Sequence, residues 1–317
     1  MRMKRIKLFK LVPLLLLALL ISGAVFTVTP MAAAKKVKKI STVKKYNSKG
    51  ELTRVYNIKY NKYGYVSKVT CKLYSQYQTN AFKTLKAVYT YKYNADKTLK
   101  KMTVDKENRK TVTTFTKKGL PKTSSAKEGR LSDKTTYKKG QPQKNVQTIS
   151  GRTHSVTKYN SKRDVKTEQY YDDDGTVLSE NSYTYKYKNG LKTSETKKVI
   201  AKREPFIETD KVKYTYDKHN YLKKEVWKAT YSKNPNYKSE NDDEEDAGEV
   251  YPKPSSWFTT YSNTYKNGLL TKRVVKYTDG PEQFKTTISY TKKKYPVRYS
   301  DYTSVDQLDR EFIVAIG

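Results

Sequence analysis

Tyr93, Phe115, Tyr137 and Tyr159 follow one another at intervals of twenty-two residues, and each stands within four residues of a turn-forming cluster. A period of that size marks a repeated supersecondary unit. The same anchor recurs at Tyr46, Tyr60, Tyr171, Tyr187, Tyr216, Tyr265 and Tyr290, so eleven anchors cover most of the chain. After each come two or three polar residues, usually a Gly or Asn, and then an aliphatic residue such as Leu52, Val66, Leu99, Val165 or Leu269. Gly and Asn accept the positive φ of a tight hairpin, and the Lys-Asn-Gly runs at 188–190 and 266–268 are strong hairpin signals. The unit reads as strand, turn, strand.

Ahead of the anchors the residues alternate, most plainly at Tyr183, Tyr185 and Tyr187 with Thr184 and Lys186 between them, and at Val212, Tyr214 and Tyr216. Successive strand side chains point to opposite faces, so the rings share one face and Thr or Lys takes the other. The ring face is expected to be half-buried and the lysine face wet. Two strands per period give an antiparallel meander. The expected fold is all-β: antiparallel hairpin repeats in an extended, twisted and curved sheet, with a barrel or half-barrel as the alternative.

Residues 1–34 read as an export signal: Arg2, Lys4, Arg5, Lys7 and Lys10 precede an apolar run, and cleavage is expected at Ala34 after small residues. Residues 35–45 read as a basic lead-in, 46–303 as the repeat domain with an acidic loop inserted at about 234–256, and 304–317 as a short helix or strand. The membrane is expected to be met only through the signal, before cleavage. Lys and Arg number 66 against 31 Asp and Glu. Such an excess attracts polyanions. Lysine predominates over arginine, which argues against specific reading of nucleic acid bases, where the planar guanidinium fork is used. With one cysteine, Cys71, no internal disulfide can form, and thirty tyrosines must supply much of the buried area.

Little in the chain points to catalysis. His154 and His219 are the only histidines and neither stands in a nucleophile, zinc or phosphate-loop motif. No catalytic residue, cofactor or metal site is expected, and the acidic runs 172–174 and 242–246 lack calcium-loop spacing. Candidate binding residues are Trp257 and Phe258, aromatic and beside a Pro-rich loop, and Lys92, Lys186 and Lys213 on the lysine face.

Tyr171, Asp172, Gly175 and Val177 carry a pattern that resembles the YD repeats of Rhs-type secreted and surface proteins, and Tyr216 with Asp217 keeps the dipeptide. The resemblance implies an exported array of β-strands, associated in some relatives with carbohydrate binding. From residues and resemblance together, the expected function is a secreted, non-enzymatic binding or adhesion protein. It would sit outside the cell or on its wall and engage an anionic cell-wall polymer or glycan through the lysine face. The alternative is a structural or carrier module with a tyrosine-lined cavity.

Overall fold

A computed structural model describes residues 36–74, 80–237, 252–278, 283–302, 304 and 306–309. The strands are β1 (Lys36–Val37), β2 (Ile40–Tyr46), β3 (Leu52–Tyr60), β4 (Val66–Leu73), β5 (Lys83–Tyr93), β6 (Leu99–Lys106), β7 (Arg109–Phe115), β8 (Pro121–Glu128), β9 (Leu131–Lys138) and β10 (Gln141–Ile149). They continue as β11 (Arg152–Tyr159), β12 (Val165–Tyr171), β13 (Val177–Lys188), β14 (Leu191–Ala201), β15 (Phe206–Tyr216), β16 (Leu222–Lys233), β17 (Ser255–Lys266), β18 (Leu269–Tyr277), β19 (Gln283–Tyr290) and β20 (Tyr295–Pro296). Strands β2 to β19 pair in chain order, all antiparallel, and β19 pairs with β2 from Lys285 opposite Tyr46 to Tyr290 opposite Ile40. The result is a closed barrel of eighteen strands. The sheet does not stay open: closure removes both unpaired edges, which an extended sheet of this length would have to protect. Residues 40–45, read from sequence as part of the lead-in, form with the anchor Tyr46 the strand that completes the ring.

Every anchor ends its strand or stands one residue from the end, and all eleven coincide with a break in register, as at Lys59/Tyr60, Lys92/Tyr93 and Thr215/Tyr216. Each break is a bulge, which bends and twists its strand. Repeated bulges therefore supply the curvature that brings β19 round to β2. The residue after the anchor holds the turn. Asn47, Asn61, Asn160 and Asp217 each accept backbone N–H groups two and four residues on through the side-chain Oδ1. The fourth residue of the turn is left-handed, at Gly64 (φ 81°), Gly175 (φ 88°), Lys97 (φ 63°) and Arg163 (φ 73°).

Rings and lysines separate by face as the alternation predicts. Tyr183, Tyr185 and Tyr187 are half-buried while Thr184, Lys186 and Lys188 are exposed. Several hydroxyls donate across to the backbone carbonyl at the start of the preceding strand: Tyr60 to Ile40 (2.6 Å), Tyr185 to Val165 (2.6 Å), Tyr216 to Lys192 (2.7 Å) and Tyr290 to Leu270 (2.9 Å). The tyrosine thus fastens each pair beside the bulge, where the ladder itself is interrupted.

The inner face is not uniform. On β2 to β6 it is apolar, with Val43, Tyr56, Val69, Cys71, Leu85 and Ala87 fully buried. Burial raises the Cys71 thiol to about 11, so it stays neutral. From β7 to β12 the inner positions are polar yet buried: Thr113 meets Ser124 at 3.1 Å and Asn145 donates to Thr135 at 2.9 Å. After β19 the chain turns into the barrel. Tyr299 lies edge-on to Phe115 (5.2 Å), Ser300 Oγ accepts from Val66 N (3.2 Å), and Asp301 pairs with buried Lys39 (2.5 Å). A helical turn at 306–309 follows, with Leu308 fully buried and Asp309 accepting from the Tyr56 hydroxyl (2.8 Å). The tail therefore fills the apolar side of the lumen. The cleavage position Ala34, the acidic run 242–246 and residues 310–317 lie outside the described residues.

Candidate functional site in the barrel lumen

Eighteen strands about 4.8 Å apart and tilted by about 40° enclose a ring of roughly 35 Å diameter if round, wide enough for a watery interior. The tail occupies one side. Facing the remaining space is the wall formed by β12 to β17. Its inward side chains include Glu168, Tyr183, Tyr185, Glu195, Asp210, Tyr214, Glu225, Trp227, Trp257 and Tyr261, placed there by the two-residue alternation and the cross-strand register. The small neighbours Val212, Ala229 and Thr259 are buried, whereas Tyr183, Glu195, Tyr214, Trp227, Trp257 and Tyr261 keep partial exposure.

Carboxylates and phenols are interlocked along this wall. Glu168 accepts from Tyr183 (2.7 Å) and Asn181 (3.2 Å), Glu195 from Tyr214 (3.3 Å) and Lys192 (3.0 Å), and Glu225 from Tyr261 (3.0 Å). Burial, followed by the charge of the acceptor carboxylate, raises the Tyr183, Tyr214 and Tyr261 hydroxyls well above the usual phenol value, so they remain donors. Burial also raises the Glu225 carboxyl, and burial with the Glu208 charge raises that of Asp210.

Trp257 and Phe258, neighbours in sequence, fall on opposite faces. Trp257 points inward and stacks on Trp227 across β16 and β17, with centroids 5.8 Å apart and planes within 7°. Phe258 is outside and 39% exposed, with Lys224 Nζ 4.4 Å from its ring centre. Lys186 on β13 and Lys213 on β15 share one outer row, each opposite Ser194 of β14, and that row runs on through Val226 to Phe258. Lys92 lies elsewhere on the outside. It begins a row that passes through Lys101, Thr114, Thr123, Thr136, Lys144, Lys158, Thr167, Ser182, Lys198 and Thr209 to Thr230, twelve strands bearing only Lys, Thr and Ser. The inner carboxylates were not singled out by sequence; their alternation in phase with the tyrosines is the signal that identifies them.

The histidines do not meet. His154 lies on β11 beside Tyr170, and His219 packs on Tyr265 in the turn after β15. Asp172 and Asp174 accept the backbone N–H of Thr176 within their turn.

No family model matches the chain, and no curated protein does. Among solved structures, it is similar to a porin-like protein from Bacteroides uniformis (11% identity, covering 80% of this chain and 96% of that one, TM-score 0.40). It is similar also to a porin-like protein from Bacteroides vulgatus (10% identity, 81% and 100%, TM-score 0.44). A TcdB2-TccC3 structure matches over 75% of this chain and 12% of its own, at 14% identity and a TM-score of 0.24.

Proposed function

We propose that the protein is an exported, non-catalytic binding barrel that holds a ligand against the inner wall of β12 to β17. The observation carrying this reading is the contrast between the two sides of the lumen: side chains of β2 to β6 are sealed beneath the tail, while the long polar and aromatic side chains opposite stay partly open. Rings, phenol donors and carboxylates in a concave space are the chemistry of small-ligand recognition. Extracellular or wall-associated location is supported by the basic and apolar order of the first residues and by the lysine exterior.

Quenching of indole emission by neutral acrylamide tests the reading. Trp227 and Trp257, the chain's two tryptophans and both partly exposed, are expected to be quenched in the folded protein. Emission that acrylamide quenches only after unfolding would mean a sealed lumen and end it.

A second reading, favoured by the twelve-strand Lys and Thr row, is that the outer face holds the barrel on an anionic cell-envelope polymer, with Lys92, Lys186 and Lys213 among the contacts. Retention on isolated cell walls should then fall steeply as salt rises, because bound counterions compete. Retention indifferent to salt would remove that role.

A further inference from the structure

We propose that the stacked pair Trp227 and Trp257, with Glu225 and Asp210, forms a binding site for an organic cation, a ligand carrying an amine or quaternary ammonium group. The proposal rests on the lumenal reading above and names its ligand class. The two indoles stack side by side on the lumenal face with planes within 7° of parallel, and both keep partial exposure. Aromatic faces attract cations through the ring quadrupole, tryptophan most strongly. On the same face of β16, Glu225 stands two residues before Trp227; Asp210 of β15 lies opposite Ala229, and Glu208 opposite Tyr231. Val212 and Ala229, both buried, leave a shallow apolar floor between them.

Some of the described carboxylates have a basic partner and others do not. Asp133, Asp164, Glu195, Asp301 and Asp309 each form an ion pair with Lys or Arg. Among the described residues, no such pair is made by Glu208, Asp210 or Glu225. The charged groups facing them are Lys197 opposite Asp210, Arg273 and Asp306 near Glu225, and Glu195. In a chain with more than twice as many basic as acidic residues, carboxylates gather on the inside of β14 to β16, while Lys211, Lys213, Lys224 and Lys228 take the outside. Carboxylates held near like charge in a partly desolvated space favour a cation. A neutral sugar would use the rings but leave that charge uncompensated. The positive exterior repels cations, so adsorption elsewhere on the molecule is suppressed.

The chain's two tryptophans are the two in the pair, so indole emission excited beyond the tyrosine band reads this site alone. The mature protein is titrated with tetraethylammonium chloride against sodium chloride of equal ionic strength, and separately with maltose. A saturable change with tetraethylammonium is expected, weakened about tenfold in Glu225→Gln and in Asp210→Asn. Lys118→Ala, in an exposed turn, should bind as the parent does. Thermal melts of each variant show whether it folds, and the two carboxamide variants stand on different strands, so one serves if the other unfolds. A response to maltose and none to tetraethylammonium would overturn the ligand class and leave the lumenal reading standing. Unchanged emission with both probes, or parental affinity in both carboxamide variants, would overturn the site. A lumen found sealed to acrylamide would instead defeat the reading beneath it.

Discussion

At the residue scale the repeat is a solution to one local problem, a strand that must bend and reverse at the same point. The aromatic anchor sits at the bulge, the next residue accepts turn amides through its side chain, and the fourth adopts positive φ. That last position favours glycine, because a side chain there crowds the backbone. Lys97, exposed at φ 63°, departs from the rule. Lys97→Gly should therefore raise stability by about 0.5–1 kcal/mol, read as a higher melting temperature. Gly64 is the converse case, since a Cβ there would lie 2.9 Å from Tyr295 Cβ as well as at φ 81°. Gly64→Ala should cost at least ~1–2 kcal/mol and disturb β20, with a lower denaturation midpoint as the check. The tyrosine periodicity was legible from the letters alone. The Asn and Asp caps were visible only as polar turn residues, because their role depends on where Oδ1 points.

Among the elements, the tail contributes most that alternation could not announce. It packs Leu308 into the apolar side and carries Asp301 to Lys39, whose Nζ also donates to Gly64 O at 2.7 Å. Removing one member of a buried pair leaves an uncompensated charge. Asp301→Ala should cost about 3 kcal/mol and Leu308→Ala about 2–4 kcal/mol, both measurable by denaturant titration. If both variants melt like the parent, the tail does not reside inside. The hairpins could be read from sequence because their contacts are local. The β19 to β2 seam could not, since its partners are more than two hundred residues apart and no short-range pattern encodes them. The pairing of Trp227 with Trp257 was hidden for a related reason: a long insertion separates the two strands. The polar interior of β7 to β12 was also missed, because Thr and Ser alternate there on both faces and nothing distinguishes inward from outward.

For the whole molecule the outer surface decides the solvent. Lipid-facing strands of a membrane barrel carry an apolar band, and each lysine at the bilayer midplane costs ~2–4 kcal/mol. The two rows described above bear lysine on seven of their thirteen strands, so the purified barrel should remain in the aqueous phase on flotation with liposomes. Recovery with the vesicles after high-salt washing would contradict this. The interior sets the response to alkali. Burial holds many phenols, among them Tyr183, Tyr214 and Tyr290, above their ordinary value of 10.0. Above that pH an unfolded chain loses protons that the folded one keeps, so stability present below pH 10 declines as pH rises. Tyrosinate absorbance should therefore lag and then rise in one cooperative step that coincides with loss of β-sheet circular dichroism. Gradual ionisation with the fold intact would show the rings to be freely solvated.

The seam between β19 and β2 also has a bearing on how the chain is made. A polypeptide emerging from its amino end completes β2 early, and that strand must wait through sixteen others for its second neighbour, β19. Each hairpin can form as soon as it is released, but the vacancy beside β2 persists until almost the whole chain is outside. During that interval a second nascent copy could offer its own late strand, and the growing arc is open to exchange between molecules. Dilution or slow delivery should favour the single ring, and crowded delivery should favour linked rings that share strands.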